Sequence, residues 1–146
     1  MNQKPYFLIT IDTEGDNLWA NPKEVSTKNA SYLLRFQELC ETYSMKPTYL
    51  TNYEMANDTG FKKFGLDVIQ RNAGEIGMHL HAWDMPPDNF QLTDNDKLYH
   101  PYLIEYPYEV MKQKIKIMIV LKTILVLKCA VTGQADGVLM NDMPNY

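Results

Sequence analysis

Three short segments rich in β-formers, residues 6–11, 48–51 and 75–80, are separated by two stretches whose apolar residues recur at helical spacing. The first reads Tyr-Phe-Leu-Ile-Thr-Ile, a nearly unbroken apolar run that suits a strand covered on both faces within a parallel sheet. After it, Leu33, Phe36, Leu39, Cys40 and Tyr43 fall on one helical face. Ser26 or Thr27 is placed to cap that helix and Pro47 to end it. Phe61, Phe64, Val68 and Ile69 mark a second amphipathic helix over residues 60–71. The order β-α-β-α-β predicts an α/β fold with a parallel sheet and right-handed crossovers. Residues 91–109, which contain four tyrosines, predict a long loop leading into a helix near Pro107.

Sheets of this kind bind ligands beyond the carboxyl ends of their strands, and the unusual side chains of this sequence cluster there. The first strand runs into Asp12 and Glu14, the third into His79 and His81. Residues two apart in an extended chain point to the same side. Two imidazoles and one carboxylate make an open site for Zn²⁺ or another first-row divalent ion. The second carboxylate is then free to act as a base. Each pair alone has a plainer explanation, since acids after a strand often cap the next helix and many histidines are structural. Both pairs on one rim of one sheet point to shared chemistry. His100 has no such companion and is read as a loop residue.

A chain of 146 residues is one domain's worth, and 45% hydrophobic with 22% charged residues is a globular balance. The net charge of -4 and the lack of a basic cluster argue against a nucleic-acid partner. Two cysteines, Cys40 and Cys129, imply no disulfide framework, and Cys40 reads as a small buried hydrophobe. Residues 1–5 carry no charged start followed by an apolar run, so no signal peptide is expected. The longest apolar region, 115–131, is interrupted by Lys116, Lys122 and Lys128, whereas a spanning helix needs about 20 mostly apolar residues. These features predict a cytoplasmic protein without a membrane span.

The runs Leu8-Ile-Thr-Ile-Asp-Thr-Glu-Gly-Asp16 and Gly74-Glu-Ile-Gly-Met-His-Leu-His-Ala-Trp83, with Pro86-Pro87, resemble the polysaccharide deacetylase superfamily. This is the group with the NodB homology domain, in carbohydrate esterase family four. The likeness extends over residues 5–110. It implies a partial (β/α) barrel, with Asp12 as catalytic base, Glu14 as metal-binding acid and His79 and His81 as metal histidines. Asp16 is the alternative to Glu14. The family's usual second motif places three residues between its histidines; here one intervenes, as in a subgroup with a His-X-His-X-Trp motif. The resemblance further implies a divalent metal, zinc first, and removal of acetyl groups from N-acetylated sugars by metal-activated water. More distant members act on other non-peptide C–N bonds, so the expected partner is a carbohydrate or another small N-acyl substrate. Trp19 and Trp83 are candidates to stack on a sugar ring. In the family a late histidine protonates the leaving amine, and this sequence offers no candidate for it.

The chain changes character near residue 110. Residues 1–110 hold 9 basic and 16 acidic side chains, whereas residues 111–146 hold 5 basic and 2 acidic ones. The plain reading of 111–146 is a basic amphipathic helix with a frayed end, suited also to a membrane surface or a partner helix. A sharper reading takes this tail as out of frame. Codons for residues 129–137, regrouped after two skipped bases, can encode Cys-Ser-His-Arg-Ala-Gly-Arg-Trp, which resembles the third motif of the deacetylase subgroup. The expectation is then a truncated, weakly stable chain that binds metal but turns over little substrate. Two alternatives stay open: a small hydrolase completed by oligomerisation, and a non-enzymatic α/β binding module whose acids and histidines are structural.

Overall fold

The computed structural model describes residues 6–20, 22, 24–87 and 90–132, with backbone alone for 124–132. Strands β1 (Thr10–Thr13), β2 (Thr48–Thr51) and β3 (Glu75–Met78) form a parallel sheet in the order β1-β2-β3. Helices α1 (Leu33–Thr42), α2 (Tyr53–Asn57) and α3 (Thr59–Gln70) occupy the crossovers. The small α4 (Asp96–Tyr99) and the long α5 (Tyr108–Thr132) follow the sheet. This is the mixed α/β arrangement that the alternation of patterns predicts. Thr13, Thr51 and Met78 stand in one register row at the carboxyl end of all three strands.

The central strand carries the core. Tyr49 is fully buried with Met55, Phe61, Val68 and Ile76, and Ile11, Leu33, Phe36 and Phe64 pack around them. Burial of each large apolar side chain of this kind contributes about 1.5–3 kcal/mol. The Tyr49 hydroxyl donates to Gln37 Oε1 at 2.8 Å, and Gln37 Nε2 donates to the Ala73 carbonyl at 3.0 Å. This satisfied polar chain ties α1 to β2 and to the lead-in of β3. Cys40 is buried, as its place in the helical pattern predicts.

Four expectations are corrected. The first strand begins at Thr10 rather than at residue 6, and Tyr6, Phe7 and Leu8 are 95%, 75% and 83% exposed. Among the described residues β1 is an edge strand with one neighbour and nothing covers those side chains, so the apolar run is not buried on both faces. Neither Ser26 nor Thr27 caps α1: a 3₁₀ turn (Lys28–Tyr32) precedes it, and the two hydroxyls donate to Asp16 and Asp58. A five-residue helix, α2, follows β2 directly, where no helix was expected. The stretch 91–109 contains α4 and a 3₁₀ turn (Leu103–Glu105) as well as loop.

The expected boundary at residue 110 falls inside α5. Val110, Lys114 and Met118, spaced one turn apart, are buried where α5 packs against α2, α3 and β3. Lys114 Nζ donates to the Met85 carbonyl at 2.6 Å. Of the residues read as out of frame, 111–146, the stretch 111–132 belongs to α5, with backbone alone for 124–132, and 133–146 lie outside the described residues. Among the described residues no helix is long and apolar enough to cross a membrane.

Candidate metal centre

Asp12 lies within β1 and Glu14 one residue past its end; His79 and His81 follow β3 directly. The ladder continues beyond the strands, with Asn52 N–H donating to Thr13 O at 3.1 Å and His79 N–H donating to Thr51 O at 2.8 Å. Those two bonds bring the ends of the outer strands level on either side of β2.

Glu14, His79 and His81 then offer ligand atoms that all lie within 4.8 Å of one another. Glu14 Oε2 is 3.3 Å from His81 Nε2 and 3.6 Å from His79 Nε2. The two Nε2 atoms are 2.8 Å apart, close enough that one ring donates to the other when it carries the proton. Three ligands about 2.0–2.1 Å from a tetrahedral ion stand roughly 3.3 Å from one another, so the trio is close to the spacing one cation needs. Glu14 Oε2 is shielded from solvent and lacks a hydrogen-bond partner among the described residues. A buried carboxylate oxygen in that state is costly unless a cation or a donor meets it. This observation supports the fit of a divalent metal to the residues present.

The electrostatics agree with ligation by neutral imidazole. Burial, the largest influence, and the neighbouring His79 push the His81 pKa below its ordinary value, against the opposing pull of Glu14 and Asp84. His81 is 8% exposed and lies stacked on Trp83, the ring centroids 4.5 Å apart and the planes 11° from parallel. Trp19, 68% exposed, stands edge-on to His81 at 6.0 Å and tilted against Trp83 at 6.1 Å. Lys97 Nζ sits 5.4 Å from the Trp19 ring centroid.

Asp12 is placed apart from this trio. Its Oδ1 is 3.7 Å from His79 Nδ1, on the side of the ring away from Glu14, and the side chain is 63% exposed. Asp16, the alternative to Glu14, is occupied elsewhere. It accepts from Ser26 Oγ at 2.6 Å, Lys28 N–H at 2.8 Å and Asn29 N–H at 2.9 Å. The Ser26 bond is the largest influence holding its pKa below the usual carboxylate range. Asp16 thus organises the loop that folds back after β1. Gly15 permits that close return, because a Cβ there would lie 2.7 Å from Val25 Cγ1. His100 closes α4, its Nδ1 3.6 Å from Glu105 Oε1, in the loop region where it was expected.

No family model, curated protein or solved structure matches the chain. The site therefore rests on its own geometry.

Two acids at this rim escaped the sequence reading. Glu54, in the first turn of α2, lies near Asp84, and its Oε2 is shielded from solvent without a hydrogen-bond partner among the described residues. Burial, then the neighbouring Asp84 carboxyl, raises the Glu54 pKa to about 8. The available signal was Asn52, whose side-chain oxygen caps α2 by accepting from Met55 N–H at 3.1 Å and so sets Glu54 one turn beyond β2.

Proposed function

We propose that this chain is a divalent-metal site of the polysaccharide-deacetylase type, on a partial (β/α) barrel, with zinc as the first-choice ion. The observation that carries the reading is the convergence of Glu14, His79 and His81, from opposite edges of the sheet, on one point. When bound, the ion supplies Lewis-acid activation of a carbonyl and of the attacking water. The residues of the chain divide the remaining work. Glu14 gives the ligand set a negative charge, and burial keeps His81 in the neutral form that ligates. Asp12, near the trio yet outside it, is the group available to take up a proton. Trp19 and Trp83 offer faces against which a sugar ring of an N-acetylated substrate can lie.

The same geometry supports low turnover by this chain. Asp12 is largely exposed, and its one ion-pair contact among the described residues is His79 at 3.7 Å. A base held so loosely is poorly preorganised for proton transfer.

Two measurements test the reading. Zinc binding by calorimetry is expected at one ion per chain, and lost in His79→Ala and His81→Ala. Release of acetate from N-acetylated oligosaccharides by the zinc-loaded chain is expected to be slow. Failure to bind any divalent ion, with both variants folding normally, favours the non-enzymatic binding module. Activity that rises steeply with protein concentration favours a hydrolase completed by oligomerisation.

A further inference from the structure

The turn that follows β1 brings Trp19 against His81 and Trp83, and a side chain from a distant segment holds it there. The chain turns at Asn17, whose φ of 52° lies in the left-handed region, and continues as a short 3₁₀ turn (Leu18–Ala20). Leu18 is buried, but Trp19 is largely exposed, so packing alone does little to fix the indole. Lys97 supplies the tie. Its Nζ donates to the Leu18 carbonyl, 79 positions away in sequence, and lies 5.4 Å from the centroid of the Trp19 ring. An ammonium so placed is attracted to the indole face as well as to the carbonyl. The backbone that carries Lys97 is itself anchored. The neighbouring Asp96 is buried, and its carboxylate accepts from Leu92 N–H at 2.8 Å, Thr93 N–H at 2.6 Å and the Tyr106 hydroxyl at 3.1 Å. Tyr106 packs in turn with Ala82 and Val110. A fixed arm thus extends from that cluster through α4 to the Trp19 turn.

We infer that Lys97 is a positioning residue for Trp19. Its ammonium latches the 18–20 turn so that Trp19 stands edge-on to His81 and tilted against Trp83, and the two indoles form a corner of set shape beside the metal ligands. The use of that corner to hold a sugar ring rests on the function proposed above, whereas the latch itself does not. The alternative is that Lys97 serves α4 alone, as a cation in the last turn of a helix.

The two roles separate by NMR of the metal-free protein. With the ring centroids 6.0 Å apart, nuclear Overhauser contacts between Trp19 and His81 ring protons are expected in the wild-type chain. Lys97→Met keeps most of the apolar stem and removes the charge and the donor, and it is expected to lose these contacts. Lys97→Arg, which keeps both, is expected to retain them. Contacts that persist in Lys97→Met, or that are lost equally in both variants, overturn the inference, as does their absence from the wild-type spectrum. Should Lys97→Met not fold, Trp19→Leu changes an exposed side chain instead. The Lys97 ε-methylene protons, shifted upfield by the indole in wild type, are expected to return to ordinary positions, and no difference between the two chains again overturns the inference. Binding of N,N′,N″-triacetylchitotriose, read by the fluorescence of the two tryptophans, is expected to weaken about 2–10-fold in Lys97→Met, as for a large side chain that must be ordered on association, with Lys97→Arg near wild type. If the wild-type chain takes up no saccharide while the Trp19 contacts respond as expected, the sugar reading fails and the latch stands.

Discussion

Glu14 is the residue on which the metal reading turns, because it alone brings negative charge into the group of three. Glu14→Gln preserves its shape and removes that charge. The substitution is expected to weaken zinc binding by at least about 100-fold, more than the loss of an outer support, with little change in folding. Unaltered affinity in a titration would mean that Glu14 is no ligand. Proton linkage gives a second check, through Glu54. Its folded pKa of about 8 lies above its ordinary value of 4.5, so the native state holds the proton more tightly than the unfolded chain. The stabilisation is present in full below pH 4.5 and is lost as pH rises through about 8. Urea unfolding of wild type is therefore expected to show stability falling across that window, and Glu54→Gln to remove this part of the slope. A flat wild-type profile would show that Glu54 titrates normally. The placing of Asp12, Glu14, His79 and His81 at one rim was legible because each pair is two apart at the end of a β-rich run. The Glu54–Asp84 pair was not, since its members lie on separate segments and only the meeting of α2 with the β3 loop joins them.

At the scale of elements, β2, α1 and α3 were readable, the helices because their apolar residues recur at regular spacing, whereas the short α2 between β2 and α3 was not. β1 misled. Its apolar run predicts burial, but burial depends on what lies alongside, and an edge position leaves Tyr6, Phe7 and Leu8 in solvent. The entry to β3 is tighter than the sequence suggests. A Cβ on Gly74 would stand 2.7 Å from the Pro47 carbonyl oxygen and 3.0 Å from Val68 Cγ1. The Pro47 carbonyl is the acceptor for Glu75 N–H, so it cannot yield without loosening the start of the β2–β3 ladder. Gly74→Ala is expected to destabilise the fold by about 1–3 kcal/mol, the usual cost of overpacking, measured by urea unfolding. Because Gly74 is at the amino end of β3 and the ligands follow its carboxyl end, zinc affinity of the folded variant is expected to stay near wild type. Strong loss of both together would mean that the site depends on the whole strand rather than on its end.

Across the whole molecule, an ion held by Glu14, His79 and His81 would act as a staple. Glu14 follows β1 and the histidines follow β3, so one ion bound by all three would join the two outer strands across the central one. Each outer strand has a single partner among the described residues, and the exposed apolar residues around 6–8 leave the β1 side with little cover. A ligand bound there by the native state alone stabilises the fold by mass action. Zinc at 100 times its dissociation constant is expected to add about 2.7 kcal/mol, if it binds the native state alone. For a chain of this size that corresponds to a rise of several degrees in Tm. The rise should vanish on chelation and be absent from His81→Ala. A Tm that ignores zinc while calorimetry still shows binding would mean that the unfolded chain binds zinc as well as the native one, so that the ligands need not be brought together by the fold.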